Sequence, residues 1–167
     1  MGSRSKIIKK VAKATDRAYI AGFLDGDGSL MLQLKKRKDG ILKFRFMATI
    51  CFYQDTRHEK TLYWIKEVLN IGYISRRNDG MTELRINGFK QVRDILIKLE
   101  PLIRFKKLQS IALLKACKIL SRTKFKMLTK QKLIKLVDYV LVIHKENYVT
   151  KKKKTRKEFY QILGLTP

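Results

Sequence analysis

The stretch Ile20-Ala21-Gly22-Phe23-Leu24-Asp25-Gly26-Asp27-Gly28-Ser29 constrains this chain more than any other, because it sets two acids among three glycines where an apolar helix gives way to an alternating strand. From Asp16, read as an N-cap, the chain continues through Ala18, Tyr19, Ala21, Gly22, Phe23 and Leu24 as a nearly all-apolar helix, which has to be buried. Glycine inside a helix costs about 1 kcal/mol relative to alanine. Gly22 and Gly26, four apart on one face, therefore predict the close approach of another backbone, with a copy of the same helix as the natural partner. Asp27 falls beside the last unsatisfied carbonyls of the helix, where the negative end of the dipole and a carboxylate together favour a cation. Hard oxygen donors of this kind suit Mg²⁺. The alternative reading of an isolated D-G-D-G is a capped turn.

This decapeptide resembles the signature of the LAGLIDADG homing endonucleases, with Ile20, Phe23 and Leu24 standing for other apolar residues and Gly26 for alanine. The resemblance implies an α+β fold, the αββαββα core of that family with a saddle-shaped antiparallel sheet, here followed by extra C-terminal helices. It also implies that Asp27 is the metal-binding carboxylate and that the Gly26 carbonyl helps to coordinate. Ala21, Gly22 and Asp25 are placed at the interface between two signature helices, with Asp25 chiefly structural. In the family each nuclease centre needs two such helices. One copy is found here, since the apolar segment Leu133 to His144 lacks a glycine-acid end, and the resemblance therefore implies a homodimer.

Bulk properties point to the same class of partner without family knowledge. The 167 residues include 39 Lys+Arg against 14 Asp+Glu, a net charge of +25, which calls for a polyanion. A hydrophobic content of 45% suffices for one ordinary domain and argues against general disorder. We divide the chain into a basic N-terminal segment (1–14), an endonuclease domain (15–145) and a basic C-terminal tail or short helix (146–167). The clusters Arg4 to Lys13 and Lys151 to Lys157 read as solvated, salt-sensitive contributors to DNA binding. No apolar run is long enough to span a bilayer and no secretion signal is evident, so an intracellular protein is expected; the resemblance favours an organelle, chloroplast or mitochondrion. Cys51, Cys117, His58 and His144 make no zinc spacing, and nothing matches a phosphate-binding P-loop.

After Gly28 the period changes to two. Leu30, Leu32 and Leu34 alternate with Ser29, Met31, Gln33, Lys35 and Arg37; after the Lys38-Asp39-Gly40 turn and Lys43, Phe44, Phe46, Ala48, Ile50 and Phe52 alternate with Arg45, Met47, Thr49, Cys51 and Tyr53. Such a ribbon has one greasy face and one polar, basic face, and it is narrow enough to enter the major groove. Its alternative is an ordinary antiparallel pair with its outer face in water. The assigned DNA-reading residues are Ser29, Met31, Gln33, Lys35, Arg37, Lys43, Arg45, Met47 and Cys51, with Gln33 suited to adenine and Arg37 or Arg45 to guanine. Thr56 is read as the cap of a helix carrying Leu62, Ile65 and Leu69. A second hairpin turns at Asn78-Asp79-Gly80 and extends the surface through Ser75, Arg77, Glu83 and Arg85. A helix with Val92, Ile95, Leu96 and Leu99 ends at Pro101, and two more, near 107–120 and 131–144, cover the core through Leu133, Leu136, Val137 and Val140.

The resemblance extends to about Gln109 and supplies the remaining site residues. Gln54 occupies the position of a polar residue that holds water and metal near the scissile phosphate. A basic residue follows, for which both Arg57 and His58 stand open, and Lys106 is the active-centre lysine, with Lys107 as a solvated neighbour. The implied activity is site-specific hydrolysis of both strands of a long pseudo-palindromic DNA target, giving short 3′ overhangs and promoting intron homing. Mg²⁺ is the expected cofactor, with Mn²⁺ able to substitute and Ca²⁺ supporting binding without cleavage. The rival readings are a cleavage-inactive relative, such as an intron maturase or a DNA-binding regulator, and a generic basic ribosomal or chromatin protein.

Overall fold

The computed structural model describes residues 13–37, 43–147 and 153–166. Both end clusters fall partly outside these residues, and the Lys38-Asp39-Gly40 turn lies wholly outside them. Helix α1 (Ala14–Asp27) leads directly into β1 (Gly28–Lys36), which pairs with β2 (Phe44–Asp55). After a 3₁₀ turn at Thr56–His58 come α2 (Lys60–Leu69), β3 (Tyr73–Arg76), β4 (Met81–Asn87) and α3 (Phe89–Leu99). Three further helices follow: α4 (Lys107–Leu120), α5 (Lys130–Glu146) and α6 (Arg156–Leu163). The sheet is wholly antiparallel with strand order β1-β2-β4-β3. Among the described residues no helix is long and apolar enough to cross a membrane.

Period-2 patterning fixes which face of the sheet is packed. Leu30, Leu32, Phe46, Ala48, Ile50, Phe52, Leu84 and Ile86 are buried and join Ile20 and Leu24 of α1, Leu62 and Ile65 of α2, and Val92 and Leu96 of α3 in one core. Each such side chain contributes about 1.5–3 kcal/mol by leaving water. Helices α4 and α5 close the core with Leu113, Leu136, Val137 and Val140. The C-terminal part is more than a tail, since Phe159 of α6 is buried in the same core and Thr155 and Glu158 form a capping box.

Two caps differ from the sequence expectation. Helix α1 starts at Ala14 with Lys13 at the N-cap, and Asp16 is the third helical residue, its carboxylate accepting from the Lys13 backbone N–H at 3.3 Å. Thr56 does not cap α2. Its hydroxyl donates to the Gly80 carbonyl at 2.8 Å and so ties the end of β2 to the second hairpin's turn, while Asp55 caps the 3₁₀ turn.

The glycines of the signature divide by role. A Cβ at Gly28 would sit 2.8 Å from the Leu24 carbonyl oxygen and 2.9 Å from its Cα, so the abrupt passage from helix to strand requires glycine there. A Cβ at Gly22 or Gly26 would meet nothing within 4 Å, and both residues are exposed. Their faces are open in a single protomer.

Candidate active site and nucleic-acid interface

The C-terminus of α1 is tied to a segment eighty residues downstream. Ile103, buried, anchors the link between α3 and α4, and Asp25, 8% exposed, reaches it with both carboxylate oxygens. Its Oδ2 accepts from the Arg104 backbone N–H at 2.6 Å and its Oδ1 from that of Lys106 at 3.0 Å. This clamp brings the Lys106 side chain back over the helix end, where Nζ donates to the carbonyl oxygens of Asp25 and, at 3.3 Å, Gly26. Burial pushes the Lys106 amine below its ordinary value, and the nearby Asp25 and Asp27 charges pull the other way. Asp27 itself points to solvent at the end of the helix.

The clamp corrects the placement of two interface residues. Ala21 is fully buried in its own protomer and Asp25 is committed to backbone amides, so neither can meet a second copy. The exposed stripe of α1 is instead Ala18, Gly22 and Gly26, one helical turn apart. Lys107 is also not merely solvated, because Nζ pairs with the Glu100 carboxylate at 2.8 Å.

Gln54 lies at the same end of the sheet, two residues beyond Phe52, the partner of Gly28. Its Oε1 accepts from the Asp55 N–H at 2.9 Å, leaving the amide N–H groups without a protein partner among the described residues. Arg57 is gripped by Asp55 through Nε and Nη2, each at 2.9 Å, and this ion pair holds the Asp55 carboxyl well below the usual carboxylate range. His58 is exposed and has no side-chain hydrogen bond among the described residues. Of the two basic residues the sequence left open, the arginine's charge is therefore compensated internally and the histidine is available.

The face of the sheet opposite the core is polar and basic. Its cross-strand rows set Lys35 beside Arg45, Gln33 beside Met47, Met31 beside Thr49 and Asn87, and Ser29 beside Cys51, Arg85 and Tyr73. Lys35, Arg37, Lys43 and Arg45 are exposed, while Gln33, Met31, Met47, Ser29 and Ser75 are half-buried. Arg77 is exposed and paired with Asp79 at 2.7 Å. Two of the assigned readers are covered. Cys51 has no exposed surface and Glu83 is 6% exposed, both lying on inner strands, Cys51 between Ser29 and Arg85 and Glu83 between Tyr53 and Ser75. Burial pushes the Cys51 thiol up to about 12. Neither residue has the surface needed to meet a base edge.

Sequence reasoning missed Asn87 and Tyr73. The Asn87 amide accepts from the Thr49 hydroxyl at 2.7 Å and donates to the Tyr73 hydroxyl at 3.3 Å, which makes a polar cluster on the same face. The alternation of β4, followed through its last residue, would have shown it.

A four-stranded antiparallel sheet with one basic face, and an acidic helix end beside a half-buried lysine, match what is known of one family. The profile of the LAGLIDADG endonucleases covers residues 20–120, and the chain belongs to that family. It is similar to the DNA endonuclease I-CvuI of Chlorella vulgaris, 34% identical over 107 residues, which is 64% of this chain and 66% of that protein. It is also similar to the DNA endonuclease I-CreI of Chlamydomonas reinhardtii, 28% identical over 97 residues, 58% of this chain and 59% of the relative. These matched regions span less than two thirds of either relative. By structure the likeness runs further. A crystal structure of I-CvuI with the I-CreI target and magnesium, its DNA not cleaved, matches with a TM-score of 0.79 and 26% identity over 90% of this chain and 94% of that one. I-CvuI has likewise been solved with its own target in the presence of calcium.

Proposed function

We propose that this chain is a site-specific double-strand DNA endonuclease that acts as a homodimer with Mg²⁺ and promotes homing of the intron encoding it, in an organelle. The observation that carries the reading is the position of Asp27: an exposed carboxylate at the C-terminal end of α1, beside the Gly26 carbonyl and the Lys106 amine, at one end of a sheet whose open face is basic.

The donor set fits a hard cation, being made of oxygen alone, a carboxylate and a main-chain carbonyl at the negative end of a helix. Among the described residues no group of three or more His, Cys, Asp and Glu could hold a metal, so one protomer offers too few ligands. A second Asp27 across a twofold axis completes the set. The open stripe of Ala18, Gly22 and Gly26 leaves room for that second helix. Bound there, Mg²⁺ would stabilise the negative charge that grows on a phosphate under attack. The chain supplies the surroundings. Lys106 holds a positive charge next to the scissile phosphate, the unpartnered N–H groups of Gln54 orient water, and His58 rather than Arg57 adds the second basic group. I-CvuI, solved with DNA and either magnesium or calcium, supports divalent-metal use here. Mn²⁺ should substitute, and Ca²⁺ should support binding without cleavage. The product is expected to carry short 3′ overhangs at a pseudo-palindromic site.

Asp27→Asn should abolish cleavage and keep DNA binding, as read by plasmid linearisation and gel shift. A purified variant that still cuts with Mg²⁺ would remove Asp27 from the centre, and a wild-type chain that shifts DNA without ever cutting would mark a binding-only relative. Gly22→Leu should turn a sedimenting dimer into a monomer. Because leucine raises helix propensity by about 1 kcal/mol over glycine, the loss would not be one of folding. An unchanged mass would reject this interface.

A further inference from the structure

Three side chains on the basic face form a relay of donors and acceptors that the cleavage chemistry leaves unused. Cys51, fully buried, donates through Sγ–H to Oε2 of Glu83 at 3.6 Å. Oε1 of Glu83 in turn accepts from Nη1 of Arg85 at 2.9 Å. The register explains the meeting. Cys51 stands opposite Arg85, and Tyr53 opposite Glu83, so the three occupy adjoining rows of one face. Accessibility rises along the relay, with the Glu83 side chain 8% exposed and that of Arg85 33% exposed.

A buried carboxylate is tolerated when its oxygens are hydrogen-bonded, and here both are. The arrangement also has an outward consequence. A guanidinium is a rigid fork of five N–H donors, and pinning Nη1 from below removes the freedom that lets a surface arginine swing between phosphates and bases. The other N–H groups of the fork have no hydrogen-bond partner among the described residues, and the side chain is partly open to solvent. Two parallel donors of this kind match the O6 and N7 acceptors of guanine, and no other base presents that pair.

We infer that Glu83, itself held by Cys51, positions Arg85 as a fixed guanine reader, so that Glu83 sets base specificity without touching DNA. The inference rests on the DNA-cleaving function proposed above. Glu83→Gln isolates the role, because a side-chain amide has the same shape but only one acceptor arm: one arm would set N–H₂ against a donor, and the neutral oxygen that remains holds a guanidinium less firmly than a carboxylate does.

The test is selection by the full-length chain, with Ca²⁺, from double-stranded oligonucleotides of randomised sequence. Selected duplexes with guanine or another base at the chosen position are then titrated. The wild type should select guanine at one position of each half-site and prefer it by about tenfold, the size of one bidentate contact. Arg85→Lys should lose that preference, and Glu83→Gln should lose most of it, while preferences elsewhere stay unchanged; the salt slope should hold for Arg85→Lys and steepen by no more than about one phosphate contact for Glu83→Gln. Glu83→Gln combined with Arg85→Lys should lose no more than Arg85→Lys alone. If Glu83→Gln proves unstable, Cys51→Ser, which keeps a donor, should retain the guanine preference and Cys51→Val should weaken it. A Glu83→Gln or Cys51→Val chain that folds and still selects guanine as strongly as the wild type overturns the inference. A wild-type chain that selects no common sequence overturns instead the function on which it rests.

Discussion

The two hairpins of the sheet carry similar basic side chains in opposite electrical states. β1, β2 and their flanks bring Lys35, Lys36, Arg37, Lys43 and Arg45 to one end, and among the described residues none of the five has an acidic partner. β3, β4 and the turn between them bring Arg76, Arg77 and Arg85, each paired, with Glu59, Asp79 and Glu83 respectively. Uncompensated cations are what a phosphate backbone meets, and they add affinity with little choice of sequence. Compensated arginines add less affinity but are held in place, which is the condition for reading base edges. On the proposed function, the first hairpin would supply grip and the second orientation.

That division can be tested at several depths. Both hairpins share one core, so Leu32→Ala in β1 and Leu84→Ala in β4, both at fully buried positions, should each cost about 2–5 kcal/mol in urea unfolding. A large cost at one and almost none at the other would mean that the hairpins are stabilised separately. Replacing Lys35, Arg37, Lys43 and Arg45 together by alanine should flatten the dependence of log binding constant on log salt by roughly 0.9 for each phosphate left without its cation. Arg76→Ala with Arg77→Ala should change it far less. Equal slopes for the two sets would erase the distinction. The smallest effect concerns Glu59, which accepts from Arg76 Nε at 2.9 Å and from Thr82 at 2.8 Å, so that Arg76 foremost lowers its carboxyl from the usual 4.5. A lowered carboxylate stabilises the fold above its unfolded-state value and ceases to do so as pH falls through the folded one. Glu59→Gln should therefore melt lower than wild type at neutral pH, with the gap closing below about pH 4.5. A gap that persists in acid would assign the stabilisation to packing.

The order of helices and strands was legible because each carries its own periodicity, and the burial of Leu30, Leu32, Phe46, Ile50 and Phe52 follows from alternation alone. Alternation assigns a face but not a depth. That is why Cys51 and Glu83 read as base readers, when both lie buried on inner strands. The same limit applies to α1: its all-apolar composition conceals which of Ala18 and Ala21 faces outward, since that depends on where the rest of the chain packs. Thr56 and Asp16 resemble caps by residue type, yet the first is drawn to the Gly80 carbonyl across the sheet and the second serves a helix that starts two residues earlier. The Asp25 clamp spans 79 residues of sequence to reach Arg104, and local spacing carries no trace of it.

That clamp separates the two acids of the signature, holding Asp25 inside it and leaving Asp27 exposed outside it. An asparagine at position 25 would turn an amide N–H₂ toward a main-chain N–H, and the injury would surface in the yield and lifetime of the molecule before any turnover was measured. On the proposed function, an asparagine at position 27, exposed and outside the clamp, would leave a sound molecule that binds DNA without cutting it. Two acids one residue apart, alike in type, would thus be guarded by different filters, one acting as the protein matures and the other only when DNA is to be cut.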